Sequence, residues 1–93
     1  EPYGYYDLVI ARDVLFHFSF ADMFKFIANL KRSGTNYFLT THSGNKQNRD
    51  IVTGDWREIN IFAEPLDFGL PVYSFLDNYD SRKMVLFDIT SIS

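Results

Sequence analysis

Polar side chains that could bind a ligand or move a proton follow two apolar runs of the sequence: Arg12, Asp13 and His17 after the first run, and Thr40, Thr41 and His42 at the end of the second. Carboxylates and imidazoles are common general bases, so Asp13, His17 and His42 are the candidate catalytic residues. The structural alternative is that Asp13 caps the end of a strand or pairs with Arg12.

Two strands and a helix must position these residues. Residues 6–11 (YDLVIA) form a continuous apolar run, which is typical of a strand buried on both faces, and residues 37–41 (YFLTT) predict the next strand. The segment between the two strands is long enough for a helix. Strand, helix and strand in this order predict a right-handed βαβ unit with parallel strands. Because parallel strands end at the same edge of a sheet, the two polar groups should face one crevice, where open α/β sheets bind ligands.

The helix is predicted over residues 20–32. Ser19 is a good N-cap with Asp22 three positions later, and Gly34 is placed to end the helix. An apolar stripe with helical spacing marks the buried face: Phe20, Met23, Phe24, Ile27 and Leu30.

The second half of the chain reads as a long polar loop followed by a hairpin. Residues 43–55 form the loop, which should lie over the same sheet edge, and residues 56–62 are a short strand or an extended segment. Residues 72–76 and 83–89 predict two antiparallel strands, with the turn at 78–82. Trp56, Arg57 and Asn60 could close over a substrate; the structural alternative is a loop anchored on a buried indole.

Composition excludes several classes of protein. The net charge of −3 gives no basic surface for nucleic acid, and the absence of cysteine excludes a disulfide scaffold, a thiolate metal site and a cysteine nucleophile. No apolar run approaches the roughly 20 residues of a membrane span. No signal peptide is apparent, and the lack of an Asn-x-Ser/Thr sequon favours a cytoplasmic location.

Two further kinds of site are weakly indicated. Asp13, His17 and His42 could bind a metal, but histidines at strand ends more often make ordinary hydrogen bonds. Ser43, His17 and Asp13 could form a catalytic triad, yet no nucleophile-elbow sequence surrounds any serine. The five glycines never form Gly-x-Gly, so neither a dinucleotide fingerprint nor a P-loop is present.

The stretch YDLVIARDVLFHFSFADMFKFIANLKRSGTNYFLTTH resembles the fourth strand, following helix and fifth strand of class I S-adenosylmethionine-dependent methyltransferases. The downstream pattern N-x-D-I-x-x-G-D-W-R-x-I-N-I at 48–61, then E-P, L-P and KMVLFDI at 83–89, resembles one branch of these enzymes. The resemblance implies the C-terminal half of a Rossmann-like doubly wound sheet: a βαβ unit, a loop-rich segment and an antiparallel β-hairpin.

The resemblance also implies a cofactor, S-adenosyl-L-methionine, and roles for particular residues. Arg12, Asp13 and Val14 would lie beside the methionine end of the cofactor. The methyl acceptor would be faced by loop and strand residues: Thr41, His42, Asn48, Asp50, Trp56, Arg57 and Asn60. The family's glycine-rich cofactor loop and the acidic residue after its second strand do not occur in this sequence, so we expect them upstream of Glu1.

We therefore expect residues 1–93 to be part of an enzyme that methylates a small molecule or a protein, with the N-terminal half of the same domain as a partner. The Asp/Asn-Pro-Pro-Tyr/Phe motif of exocyclic-amino methylation is absent, which disfavours DNA as the acceptor. The main alternative is a non-catalytic, truncated α/β interaction module. A flavodoxin-like domain is disfavoured by the closing hairpin. Because the inner edge of the first strand would lack a neighbour, we expect the isolated chain to be inactive and to self-associate.

Overall fold

The computed structural model describes residues 8–76 and 82–92, which form a small α/β fold with a mixed sheet and one α-helix. The strands are β1 (Leu8–Ala11), β2 (Tyr37–Ser43), β3 (Tyr73–Leu76) and β4 (Arg82–Asp88), and the helix is α1 (Phe20–Arg32). Two 3₁₀ helices, Leu15–His17 and Ile89–Ser91, complete the regular structure.

The sheet has the order β1-β2-β4-β3. β1 and β2 are parallel, with Leu8 opposite Tyr37, and α1 lies between them in the chain, so the predicted βαβ unit is confirmed. β4 is antiparallel to both β2 and β3. The predicted antiparallel strands are therefore also present, although the proposed turn at 78–82 falls mostly outside the described residues, as does the start of the predicted strand at 6–7. A doubly wound sheet would need further strands and helices beyond these.

Helix α1 has the predicted bounds because its ends are specified locally. The Ser19 side chain accepts a hydrogen bond from the Asp22 backbone N–H, and Lys31 and Arg32 lie in the last turn, where cations interact favourably with the helix dipole. Gly34 follows the helix at φ 81°, a left-handed conformation that costs glycine nothing. Met23, Ile27 and Leu30 are its buried residues.

One face of the sheet is closed. It carries alternate strand residues such as Phe38, Val85 and Phe87, which α1 and residues 59–68 cover. Phe26 of α1 meets Phe38 edge-on at 5.8 Å between ring centroids, and Phe68 meets Phe87 edge-on at 5.6 Å. We call this side the closed face.

The opposite face is partly open: Thr41, Ser43 and Met84 on this side are buried, whereas its apolar side chains farther from the carboxyl ends of β1 and β2 are exposed. Its exposed side chains come from β1, β2 and β3, and we call them the open face: Leu8, Ile10, Tyr37, Tyr73 and Phe75. A shallow groove of about 340 Å³ runs along it between Leu8, Tyr37, Val72 and Leu86. Within the described residues, β1 pairs with β2 alone, so its other edge also lacks a neighbouring strand.

The segment between β2 and β3 contains no strand. Residues 56–62, for which a short strand was one prediction, are irregular and end in a turn, so that prediction is wrong. The backbone hydrogen bonds of this segment explain the difference, because they go to separate partners and not to one strand. The Arg57 N–H donates to the Phe16 carbonyl of the 3₁₀ helix, and the Ile59 carbonyl accepts from the Ser43 N–H. The Ile61 N–H donates to the His42 side chain. No helix in the described parts of the chain is long and apolar enough to cross a membrane.

Candidate functional site at the carboxyl edge of the sheet

Asp13 lies directly beyond the carboxyl end of β1 in an unusual backbone conformation. Its φ is 60°, a left-handed value that costs a non-glycine residue about 1–3 kcal/mol, although aspartate adopts it more readily than most residues. The Asp13 backbone N–H donates a hydrogen bond to Thr41 Oγ1 at 2.8 Å. One residue of each predicted polar group, Asp13 and Thr41, therefore meets the other at this point, whereas His17 and His42 do not join them.

Arg82 brings two acidic side chains together at this edge. Its Nη1 lies 3.6 Å from Asp13 Oδ1, and its Nη2 lies 3.9 Å from Glu58 Oε2. The guanidinium also lies over the rings of Phe16 and Trp56, at 5.2 and 6.0 Å from their centroids. We call these five residues the edge cluster. Asp13 Oδ1 is itself buried and accepts no hydrogen bond from the residues that the structure describes.

Residues 44–58, which we call the strap, lie against the start of α1. Asp50 Oδ1 accepts a hydrogen bond from Phe20 N–H at 2.8 Å, and Thr53 Oγ1 accepts one from Ser19 N–H at 2.9 Å. The Gly54 N–H donates to the His17 carbonyl at 2.8 Å. The loop therefore lies at the predicted sheet edge, and it supplies the acceptors that the first N–H groups of a helix need.

The strap is anchored by Arg57, which is 2 % exposed. Its guanidinium donates hydrogen bonds to four backbone carbonyls, namely those of Arg49, Leu15, Phe16 and Phe18. The guanidinium also lies over the Phe20 ring, with Cζ 5.4 Å from the ring centroid. Burial lowers the pKa of Arg57, which the nearby Asp50 carboxylate partly offsets. A buried arginine, and not a buried indole, holds this loop; Trp56 is 48 % exposed.

The two histidines lie in different places. His17 Nδ1 is 3.1 Å from the Asp55 carbonyl, and because a carbonyl only accepts, Nδ1 carries the proton and Nε2 is left as the basic nitrogen. His42 Nδ1 accepts a hydrogen bond from Ile61 N–H at 3.2 Å, so in the neutral ring Nε2 carries the proton. Burial, and secondarily the positive charge of Lys83 opposite it in the sheet, lower the pKa of His42. His42 is thus held as a neutral donor on the closed face, away from Thr41.

The asparagines of the predicted acceptor site are bonded to the backbone of the loop. Asn48 Nδ2 donates to the carbonyl of Asn60 at 2.8 Å, and its Oδ1 accepts from Asn60 N–H. Asn60 Nδ2 donates to the Asn45 carbonyl at 2.9 Å. Thr41 is 1 % exposed, and its hydroxyl lies between Asp13 N and Met84 Sδ. Arg12 is exposed and Val14 is half-buried against the core.

This arrangement offers a carboxylate, a basic imidazole nitrogen and an aromatic wall to a ligand. The strap also forms a cavity of about 500 Å³ whose lining includes Trp56 and Glu58 of the edge cluster. Ser43 donates its hydroxyl hydrogen to Glu58 Oε1, and His17 bonds to Asp55, so the weakly indicated Ser43–His17–Asp13 triad is not assembled. Across residues 8–76 and 82–92, no three acidic or histidine side chains form a potential metal site.

Sequence reasoning missed Arg82 and Glu58. Arg82 is the first residue of β4, and an antiparallel strand begins at the edge where its parallel neighbours end. Because the predicted hairpin is antiparallel, the start of its second strand could have been placed at the carboxyl edge from sequence alone. That would have put Arg82 at the same edge as Asp13. Glu58 had no comparable signal, because its place depends on how the strap folds back. Comparisons of this chain with protein families, curated proteins and solved structures found no match.

Proposed function

We propose that this chain forms the acceptor-side half of an S-adenosylmethionine-dependent methyltransferase domain. The observation that carries the proposal is Asp13, which follows β1 in a left-handed conformation and has a buried carboxylate oxygen that lies 3.6 Å from Arg82 Nη1 and accepts no hydrogen bond from the described residues. Strained residues of this kind concentrate at functional sites. The position beyond the carboxyl ends of two parallel strands is where open α/β sheets bind their ligands.

The order of elements supports the same proposal. A parallel βαβ unit followed by a long loop and an antiparallel strand pair is the architecture that the sequence resemblance implies. The open face is a second support, because the parallel pair β1 and β2 is of the kind that α/β folds cover on both faces. In a Rossmann-like doubly wound domain, the N-terminal half of the domain would supply the missing cover and the strand beside β1.

The residues present suit part of a cofactor site. S-adenosylmethionine supplies an electrophilic methyl group when bound. In our proposal Arg12, Asp13 and Val14 lie beside its methionine end, and the Asp13 carboxylate complements the cationic groups there. The glycine-rich loop that binds the rest of the cofactor is a proposed contribution of the N-terminal half.

Methyl transfer requires few chemical steps from protein side chains. An in-line displacement gains most from alignment of the two reactants, which fixed walls such as Trp56 can provide. Where the acceptor must lose a proton, His17 Nε2 and Asp13 are the candidate bases in this geometry. His42 is better suited to donate a hydrogen bond, since its Nδ1 is already bonded to Ile61 N–H.

The test compares two aspartates with the same backbone strain. Asp13 and Asp67 both have positive φ, 60° and 46°, and asparagine tolerates that conformation. In the protein that contains this chain with its upstream sequence, Asp13→Asn should lower methyl transfer by about 100-fold, and Asp67→Asn should leave it unchanged. Isotope transfer from labelled S-adenosylmethionine and calorimetric titration of S-adenosylhomocysteine measure the two effects. Unchanged kinetics in Asp13→Asn would remove Asp13 from the site, and absence of cofactor binding in the wild type would contradict the proposal.

A non-catalytic interaction module is the second candidate. The observations that favour it are the open face and the side chains of the strap and of the residues just after it that bond to backbone, such as Asn48, Arg57 and Asn60. In that case the open face would bind another protein, and neither Asp13 nor the cofactor would matter. Retention of partner binding in Asp13→Asn, together with no cofactor binding by the wild type, would favour this candidate.

A further inference from the structure

We propose that Arg57 is a positioning residue, which fastens the strap to the segment between β1 and α1 and thereby holds Trp56 and Glu58 against Arg82, the ion-pair partner of Asp13. The proposal goes beyond the proposed function, since it concerns how the site is built whatever ligand it binds. Only its consequence for turnover rests on the proposed function.

The first argument is the number and direction of the bonds that Arg57 makes. Three carbonyls of the 3₁₀ region, those of Leu15, Phe16 and Phe18, accept from its Nη atoms at 3.2, 3.1 and 2.7 Å, and Nε donates to the Arg49 carbonyl at 2.7 Å. The Arg57 backbone N–H adds a fifth bond, to the Phe16 carbonyl at 3.0 Å. One side chain thus joins the strap to the segment that links β1 to α1.

The second argument is that the guanidinium is the part of the side chain that matters. Its planar fork reaches carbonyls in several directions at once, whereas a lysine ammonium is a compact group at the end of a flexible stem. The carbonyls of Leu15, Phe16 and Phe18 would lose their shared donor in Arg57→Lys, although the positive charge is kept. A role that depended on charge alone would survive that change.

The third argument is the position of the two neighbours. Trp56 and Glu58 flank Arg57 in the chain, and both contact Arg82, Trp56 through its ring and Glu58 through its carboxylate. The Trp56 ring also meets Phe16 edge-on at 6.2 Å. Arg57, the residue between them, lines the same cavity and bonds to the Phe16 carbonyl, so its contacts determine where its two neighbours lie against Arg82.

The experiment measures the strap directly, with no substrate. Hydrogen exchange reports the amides of Gly54 and Arg57, which bond to the His17 and Phe16 carbonyls, and acrylamide quenching reports Trp56, the single tryptophan of the chain. The variants are Arg57→Lys and Arg57→Met, with Lys46→Met as an exposed cation of the same strap. Both Arg57 variants should speed exchange at Gly54 about tenfold or more relative to the amides of β2 and β4, and raise Trp56 quenching about twofold. Lys46→Met should change neither.

The outcomes separate a positioning role from a merely structural one. Equal acceleration of all amides, with unchanged quenching of Trp56, would mean that Arg57 only adds global stability, and this overturns the proposal. If both variants fail to fold, hydrogen exchange of the wild-type chain still tests the proposal. The Gly54 and Arg57 amides must then be protected from exchange together, and unprotected amides would overturn the proposal. Because none of these readouts requires methyl transfer, they hold even if the proposed reaction is wrong.

Discussion

The two faces of the sheet have the same kind of side chains but different surroundings. On the closed face, Phe38 and Phe87 are fully buried beneath α1 and residues 59–68. On the open face, Ile10 is 60 % exposed and Tyr73 is 62 % exposed. The difference lies in the cover and not in the strands, because alternate residues of the same β1 and β2 point to each side.

The residue types of β1 indicate whether the open face is suited to contact with water. A surface strand exposed on one side normally alternates apolar and polar residues, whereas β1 (LVIA) is apolar at every position. An apolar edge strand without charge or proline also invites pairing with another strand. In our proposal, another part of a larger domain covers the open face and the edge of β1 that has no neighbouring strand within residues 8–76 and 82–92.

The largest expected effect compares two phenylalanines on opposite faces. Phe87→Ala on the closed face should cost about 3–5 kcal/mol of unfolding free energy, because it leaves a cavity among buried rings. Phe75→Ala on the open face should cost about 1 kcal/mol or less in the 93-residue chain, because Phe75 is 45 % exposed. Urea denaturation measures both values.

The same two substitutions can be compared in the longer protein that our proposal expects. There the cost of Phe75→Ala should rise toward that of Phe87→Ala, since the open face would be covered. Equal costs already in the isolated chain would mean that the face is closed by something other than an additional part of the domain.

An intermediate effect concerns self-association. The isolated chain should dimerise or aggregate through β1 and the open face, and Ile10→Lys should reduce this by placing a charge on the free edge. Val52→Lys is the matched control, because Val52 is exposed on the strap and lies outside the sheet. Sedimentation velocity measures the association. A wild-type chain that sediments as a clean monomer and melts in one sharp transition would contradict the prediction.

The smallest effect is a pH dependence that belongs to the closed face. Folding lowers the pKa of His42 from its ordinary 6.5, so below that pH the unfolded chain binds more protons than the folded chain. The stabilisation from neutral His42 is complete above pH 6.5 and is lost as the pH falls through 6.5 toward the lower folded value. The pKa of Asp88 is lowered from 3.8, mainly by its hydrogen bond from the Thr90 hydroxyl, so Asp88 affects the unfolding free energy only in a more acidic range.

Substituting each histidine isolates this effect. His42→Asn keeps an acceptor for Ile61 N–H and removes the titration, so the loss of unfolding free energy between about pH 7.5 and pH 5 should shrink. His17→Asn replaces the other histidine of the chain, at an exposed site, and serves as the matched control. An unchanged slope in His42→Asn would show that His42 is not the group that makes the fold sensitive to acid.

The elements with local signals were predictable from sequence, and the contacts between distant segments were not. Ser19, the apolar stripe and Gly34 specify α1 within one stretch of chain, and the bounds agree. Asp13 and Thr41 meet because the βαβ rule applies to any such unit. Arg57 gave no signal of burial, because a buried arginine depends on carbonyls 39 to 42 positions away that no local pattern reveals.

The most direct test of the central claim is to read the parent transcript upstream of the codon for Glu1. Our account predicts a strand that ends in a Gly-x-Gly loop, followed by an acidic residue that closes the next strand. Those elements would bind the cofactor and cover the open face. A start codon directly before Glu1, or an unrelated upstream domain, would contradict the account, because no cofactor loop would exist and Asp13 would lose its proposed role.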